Sequence, residues 1–250
     1  MRINVLGVSF NNLTMDEAVS RALTLINERG GAYVVTPNPE IVMLARKDHD
    51  LQDALAGAAL TLPDGVGIVL ASKLLGTPLR RKLPGIDFAC ALMDKLSERG
   101  ASVFLLGASN GENGEESVAQ KAAAKLKERF PGLIIVGAQH GYFSEDEPII
   151  EQINASRPDL LLVCLGSPKQ EQWMARNAKN LNVGLMAGLG GALDVFSGEV
   201  NRAPERWQHL GLEWLYRLLH DPARIKRMGA LPRFGFAVLG ARLKKSGAKQ

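Results

Sequence analysis

Apolar and polar positions alternate in blocks along this chain, and the blocks predict strands that alternate with helices. Short apolar runs at residues 103–106 and 160–165 are typical of strands that are buried on both faces, as in parallel sheets. Longer stretches with helical spacing, such as residues 117–130 and 148–156, lie between such runs. This order predicts an α/β fold, a Rossmann-like parallel sheet covered by helices.

The same pattern places the remaining elements. We expect strands at residues 1–6, 33–35, 59–62, 103–106, 133–136, 160–165 and 184–187, and helices at residues 14–30, 40–46, 50–56, 66–75, 88–99, 117–130 and 148–156. Thr14 and Glu17 form a predicted capping box at the first helix. Near the C-terminus, residues 210–219 predict an apolar helix, and Asp221 is placed to cap a second, short helix that starts at Pro222.

The most informative segment is residues 166–173, which follows the apolar run at 160–165. Gly166 is expected to turn the chain, Ser167 to cap a helix and Pro168 to occupy its first position. Polar groups at the carboxyl end of a parallel strand lie where open α/β sheets bind ligands. Lys169, Gln170, Glu171 and Gln172 are therefore site candidates, although a solvated helix start would show the same residues.

Three further segments follow predicted strands. Asp64 ends an apolar strand and precedes a glycine and a helix, so it suits either a general base or a helix N-cap. Residues 107–114 are rich in glycine and suit either backbone contacts to phosphates or a surface loop. Residues 188–194 also permit a close approach of the backbone to a ligand. Neither glycine-rich segment has the dinucleotide-binding or P-loop spacing.

Composition narrows the class of protein. The 250 residues are 46% hydrophobic and 22% charged, as in a soluble globular protein. The two cysteines, Cys90 and Cys164, lie in apolar contexts and predict buried thiols in a reducing compartment. The four histidines are scattered, and no zinc motif or serine-nucleophile elbow occurs. The N-terminus lacks the apolar core of a signal peptide, and no apolar run reaches the ~20 residues of a membrane span.

Charge is concentrated at the C-terminus. From Arg202 onward there are eleven lysines and arginines against three acids, so this segment carries +8 while the remainder carries −4. We therefore predict an α/β catalytic domain at residues 1–200 and a basic helical appendage at residues 201–250. Aromatic and aliphatic residues among the cations suit an anionic membrane interface. A helical cap with solvated charges is the alternative, and no motif favours nucleic acid.

The chain resembles the WecG/TagA/CpsF glycosyltransferases almost end to end. The motifs that carry the resemblance are Thr36-Pro37-Asn38, Asp64-Gly65, Leu83-Pro84-Gly85-Ile86-Asp87, Gly166-Ser167-Pro168-Lys169-Gln170-Glu171, residues 188–194, Arg202-Ala203-Pro204 and residues 211–218. The resemblance implies an inverting, metal-independent transfer of an N-acetylmannosamine-type sugar from UDP. The implied acceptor is an undecaprenyl-diphosphate-linked N-acetylglucosamine, used for teichoic acids, enterobacterial common antigen, capsules or exopolysaccharides.

The resemblance also assigns roles to residues of this chain. It implies that Asp64 is the base and that Thr36 and Gln170 are its catalytic partners. Residues expected to bind substrate are Asn38, Gly85, Asp87, Gly107, Gly166, Lys169, Glu171, Gly188, Gly190, Asp194, Arg202, Arg206, Arg217, Arg224 and Arg227. Without a metal or other cofactor, arginines of the basic segment would stabilise the departing diphosphate. The implied location is cytoplasmic, peripheral on the inner face of the membrane.

Two other functions fit parts of the sequence. One is a nucleotide-dependent oxidoreductase on a Rossmann sheet, which the missing glycine fingerprint disfavours. The other is a non-catalytic module that binds a nucleotide sugar or a lipid, and that would tolerate Asp64→Asn. The sequence leaves open the donor sugar, the final polymer, the role of residues 234–239 and the oligomeric state, including a homo-oligomer.

Overall fold

A computed structural model describes residues 1–111, 115–220 and 229–247, and these form two β-sheets and twelve helices. The larger sheet has six parallel strands in the order β4-β3-β8-β7-β5-β6, and β1 and β2 form a separate antiparallel pair. The strands are β1 (Arg2–Val5), β2 (Val8–Asn11), β3 (Ala32–Val35), β4 (Leu60–Thr61), β5 (Ser102–Gly107), β6 (Ile134–Gln139), β7 (Leu160–Cys164) and β8 (Leu185–Gly188). The predicted α/β class is confirmed.

Helices connect the strands and cover both faces of the sheet. They are α1 (Met15–Glu28), α2 (Pro39–Ala45), α3 (His49–Gly57), α4 (Val66–Leu74), α5 (Gly85–Ser97), α6 (Val118–Arg129), α7 (Glu147–Ser156), α8 (Lys169–Asn177), α9 (Ala192–Phe196), α10 (Glu205–His209), α11 (Glu213–His220) and α12 (Ala230–Gly247). The capping box at Thr14 and Glu17 is present at the start of α1. The helix predicted to begin at Pro222 lies outside the described residues.

The central strands are buried on both faces, as their continuous apolar runs predict. In β7, Leu160 and Leu162 pack into one hydrophobic cluster, whereas Leu161 and Val163 pack into the other. All four side chains are fully buried. Cys164 at the end of β7 is buried as expected, and Cys90 is only partly buried.

Two predicted elements differ from the structure. The N-terminal strand continues into a hairpin, since Leu6 and Gly7 both have positive φ (52° and 99°), as a tight two-residue turn requires. At α8, Pro168 takes the N-cap position instead of the first helical position, and α8 has no side-chain cap. Apolar spacing alone identifies neither the second strand of a short hairpin nor the exact start of a helix.

The C-terminal helix is packed on the rest of the protein. Helix α12 contacts α2 and α4, and its Phe234 and Val238 are 5% and 2% exposed within the second hydrophobic cluster. This helix therefore contributes to the core on that face of the sheet. The predicted division of the chain at residue 200 stays a prediction.

A crevice forms at the carboxyl ends of two adjacent strands, β3 and β8. The chain leaves β3 into α2, whose Ile41 and Val42 belong to one hydrophobic cluster. It leaves β8 into α9, whose Leu193 and Phe196 belong to the cluster on the opposite face. Loops that depart to opposite faces leave a gap between them, which is where open α/β sheets bind ligands.

Candidate active site

The crevice is a cavity of about 330 Å³. Loops from the carboxyl ends of β3, β4 and β8 form most of its wall, and residues from α11 and α12 complete it. Its lining residues include Thr36, Asn38, Glu40, Asp64, Gly65, Lys82, Gly85, Ile86, Leu189, Glu213, Trp214 and Leu231. The wall therefore combines polar and apolar side chains, as is usual for a small-molecule site.

Asp64 lies in this wall directly after β4 and is partly exposed. Its backbone N–H donates to the carbonyl of Pro37, which ties the β4–α4 turn to the β3–α2 loop. The N-cap of α4 is Gly65, whose φ of 89° favours glycine, and the cap has no side-chain hydrogen bond. Asp64 therefore does not occupy the N-cap position of α4, and its role as base stays a prediction.

Helix N-termini converge on the cavity. The first residues of α4 (Val66 and Gly67) and of α5 (Gly85 and Ile86) line it, together with those of α2 and α9. Neither α4 nor α5 has a side-chain cap. The N–H groups and the positive dipole end of a helix N-terminus favour an anion at such positions.

Thr36 connects three parts of the wall. Its side chain is 7% exposed, and its hydroxyl donates to the carbonyl of Gly188 at 3.2 Å. Gly85 at the start of α5 packs so closely that an added Cβ would lie 3.0 Å from Thr36 Oγ1 and 3.3 Å from a methyl group of Leu189. The β3 end, the β8 end and α5 are thus fitted together around Thr36.

Gln170 and Glu171 lie behind the wall. They are 2% and 1% exposed, and neither lines the cavity. Gln170 Oε1 accepts a hydrogen bond from the N–H of Gly190 at 2.9 Å, and its Nε2 donates to Glu171 Oε1 at 2.8 Å. Burial raises the pKa of Glu171, although its interactions with Gln170 and Ser167 oppose this shift.

A network of charges holds the C-terminal part of the wall. Arg202 forms a salt bridge with Asp87 of α5 at 2.6 Å, and its other terminal nitrogen lies 3.7 Å from Glu213 of α11. Lys82 lies 4.0 Å from Glu213 and donates to the carbonyl of Gln208 at 2.8 Å. These contacts place Trp214, which is 41% exposed, at the cavity.

Sequence comparison identifies the family. Residues 3–248 match the Glycosyl transferase WecG/TagA/CpsF family. The chain belongs to this family.

Two bacterial proteins are similar to this chain over most of its length. It is 38% identical over 216 residues to a protein of Bacillus spizizenii, covering 86% of this chain and 82% of the relative. It is 34% identical over 251 residues to a protein of Staphylococcus aureus strain MW2, covering 99% and 96%. Both relatives are named N-acetylglucosaminyldiphosphoundecaprenol N-acetyl-beta-D-mannosaminyltransferase. Membership of a glycosyltransferase family does not favour the oxidoreductase alternative.

The site of this family member brings together part of the predicted set. Thr36, Asn38, Asp64 and Gly85 line the cavity, and Gly188 and Gly190 belong to the β8–α9 loop that borders it. Asn38 also caps α2, because its Oδ1 accepts from the N–H of Ile41. Asp87 and Arg202 contact the wall through Glu213.

Other predicted residues lie away from the cavity. Lys169 donates to the carbonyl of Gly141 and lies over the ring of Phe143, while Gly107 packs against the backbone of Cys164. Gly166, Asp194 and Arg206 are likewise absent from its lining. Arg224 and Arg227 lie outside the described residues, and for Arg217 only the backbone, in α11, is described.

Several lining residues were not predicted from the sequence. Ile86 lies within the motif at residues 83–87, and Glu213 and Trp214 lie within the motif at residues 211–218, so their motifs could have indicated them. Lys82 directly precedes the first of these motifs. Glu40 follows the predicted Asn38. Leu231 carries no local signal, since it approaches the cavity only through the packing of α12 on α2 and α4.

The described part of the chain shows neither a metal site nor a membrane-spanning helix. Within residues 1–111, 115–220 and 229–247, no group of three or more His, Cys, Asp and Glu residues is placed to hold a metal ion. None of the helices in this part of the chain combines the length and the apolar character that crossing a bilayer needs.

Proposed function

We propose that this protein transfers N-acetylmannosamine from a UDP-sugar to N-acetylglucosaminyl-diphosphoundecaprenol, with inversion at the sugar carbon. The observation that carries the proposal is the position of Asp64, a carboxylate in the cavity wall, beside the N-termini of α4 and α5. The names of the two bacterial relatives supply the sugar and the acceptor.

In the proposed reaction, Asp64 acts as the general base. It removes the proton from the attacking hydroxyl of the acceptor sugar, whose oxygen forms a bond to the anomeric carbon of the donor. The bond between that carbon and the diphosphate oxygen breaks at the same time, and UDP leaves with the electron pair. Attack from the face opposite the leaving group inverts the configuration.

The departing diphosphate needs positive charge. The N-termini of α4 and α5 supply backbone N–H groups at the cavity, and such groups stabilise phosphate oxygens without a metal. We assign the additional cations to arginines of the basic segment, Arg217, Arg224 and Arg227, because a guanidinium pairs well with phosphate. The proposed reaction therefore requires no divalent ion and no other cofactor.

Thr36 and Gln170 are proposed to position groups in this reaction instead of moving the proton. Thr36 touches both the cavity and the carbonyl of Gly188, and Gln170 holds the N–H of Gly190 from behind. Asn38 and Gly85 are proposed to contact the substrate directly, because both line the cavity.

A product assay tests the transfer. The purified protein is incubated with a panel of UDP-sugars and a lipid-diphosphate N-acetylglucosamine, and disaccharide formation is followed by mass spectrometry. We expect a product with UDP-N-acetylmannosamine. The proposal would be contradicted if the protein bound a UDP-sugar but transferred the sugar neither to this acceptor nor to water. That result would favour a non-catalytic module.

We further propose that the protein associates with the membrane that holds its acceptor. Phe236, Leu239 and Leu243 of α12 are 75%, 50% and 73% exposed, and the neighbouring α4 exposes Leu70 and Leu74. We call these five residues the apolar patch. Exposed cations, Arg233, Arg242 and Lys244, lie on the same helix, which contains no acid. Apolar side chains with cations around them suit an anionic bilayer surface.

Vesicle sedimentation tests this association. Phe236→Ser should weaken binding to vesicles that contain anionic lipid by about tenfold, because one large side chain no longer enters the interface. Tyr142→Ser is the matched control, since Tyr142 is also 75% exposed but lies after β6, at the sheet edge opposite β4. Equal binding of the Phe236→Ser variant and the parent protein, or binding that is insensitive to salt, would contradict the proposal.

A further inference from the structure

The buried carboxyl of Glu171 needs an explanation, because no cation among the described residues forms an ion pair with it. Glu171 is 1% exposed and has no salt bridge to any residue that the structure describes. Its Oε2 atom has no hydrogen-bond partner in the same part of the chain. Burying such a group is unfavourable for folding, and burial accordingly raises its pKa. An apolar side chain of similar size would fill the space at lower cost, so stability alone does not account for a carboxyl here.

The hydrogen bond at Oε1 indicates what the carboxyl does. A glutamine side chain can rotate by half a turn and exchange its oxygen and nitrogen, and only its neighbours decide which end points where. Glu171 Oε1 accepts from Gln170 Nε2 at 2.8 Å, which directs the oxygen of Gln170 toward Gly190. That oxygen then accepts the N–H of Gly190 at 2.9 Å.

Gly190 belongs to the part of the β8–α9 loop that forms the cavity wall. Its neighbours Leu189 and Gly191 both line the cavity. Thr36 holds the start of the same loop, through the carbonyl of Gly188 at the end of β8, at 3.2 Å. The loop is therefore fixed at two points, and the fixation by Gln170 depends on the orientation that Glu171 imposes.

We propose that Glu171 is a positioning residue for the transfer reaction, which orients the amide of Gln170 and thereby fixes Gly190 and the cavity wall formed by the β8–α9 loop. Glu171 acts through Gln170 and touches no substrate. The kinetic part of this inference rests on the proposed function, whereas the structural part, the hold on Gly190, does not.

The test compares two variants of Glu171 in the full-length protein. Glu171→Met fills the space but removes the acceptor, so the Gly190 amide should exchange its hydrogen about tenfold faster and kcat should fall by roughly 10- to 100-fold. Glu171→Gln keeps an oxygen that can accept from Gln170 and should restore both values to near those of the parent protein. Trp173→Phe is the control: it changes a fully buried residue of the same helix that has no bond to Gln170.

Each outcome decides the inference. The inference would be overturned if Glu171→Met kept the kcat and the Gly190 exchange rate of the parent protein. It would also be overturned if kcat fell equally in Glu171→Gln and in Trp173→Phe. If Glu171→Met does not fold, Gln170→Met removes the acceptor for Gly190 directly, and unchanged exchange at Gly190 in that variant would overturn the inference as well. A parent protein without transfer activity would refute the proposed function, and the exchange measurement would still test the hold on Gly190.

Discussion

The close fit of Gly85 against Thr36 allows a quantitative prediction for Gly85→Ala. An added Cβ would lie 3.0 Å from Thr36 Oγ1, 3.2 Å from Thr36 Cγ2 and 3.3 Å from Leu189 Cδ2, whereas ordinary contacts begin at 3.4 Å. Thr36 must therefore recede by about 0.4 Å. The φ of Gly85 is not positive, so the backbone accepts alanine and the effect comes from packing alone.

This displacement should affect turnover more than folding. If a misplacement of about 1 Å costs roughly 100-fold in rate, then about 0.4 Å costs roughly sixfold. Tight overpacking should lower the free energy of unfolding by about 1 kcal/mol. The measurements are the initial rate of disaccharide formation and a urea unfolding curve.

A second glycine serves as the control. Gly240 lies inside α12, where an added Cβ meets nothing within 4 Å. Gly240→Ala should leave turnover unchanged and should raise the free energy of unfolding by about 0.5–1 kcal/mol, because alanine favours a helix over glycine. Parent-like turnover of Gly85→Ala, with Thr36 unmoved in a crystal structure, would refute the argument that this contact shapes the cavity.

Two further predictions concern Glu171 and metals. Burial raises the pKa of Glu171, so the folded protein favours the protonated carboxyl. The contribution of Glu171 to the free energy of unfolding is therefore largest at low pH, and it is lost as the pH rises through the folded-state pKa. Glutamine does not titrate, so the melting temperature of Glu171→Gln minus that of the parent protein should increase between about pH 4 and about pH 8. A difference that stays constant or decreases over this range would contradict the burial argument. For metals, excess chelator should leave transfer intact, since helix N-termini and arginines are proposed to stabilise the diphosphate. A strict requirement for magnesium or manganese would contradict this proposal.

The alternation of apolar runs was sufficient to predict the α/β class and the buried strand β7, because a strand covered on both faces leaves a continuous hydrophobic signal. Residues that immediately follow strands, such as Thr36, Asn38 and Asp64, could also be predicted to share one edge of the sheet. This reasoning does not show which way a side chain points. Lys169 follows a strand too, yet it points toward Gly141 and Phe143.

Long-range packing explains the cavity residues and ion pairs that the sequence did not predict. Leu231 lines the cavity because α12 packs against α2 and α4, and no local pattern predicts that contact. Long-range packing also gave Arg202 its partners, Asp87 and Glu213, which a count of charges in the basic segment does not reveal. Whether Arg202 also contacts a substrate stays a prediction.

The rate of Asp64→Asn in the transfer assay tests the proposed function most directly. The substitution preserves size and removes the carboxylate, so turnover should fall by roughly 10²–10⁴-fold, the range for loss of a general base, with little change in the free energy of unfolding. Glu40→Gln, which neutralises another carboxylate of the same cavity, should lose much less. Near-parent turnover of a folded Asp64→Asn protein, or an equal loss in both variants, would contradict the assignment of Asp64 as the base.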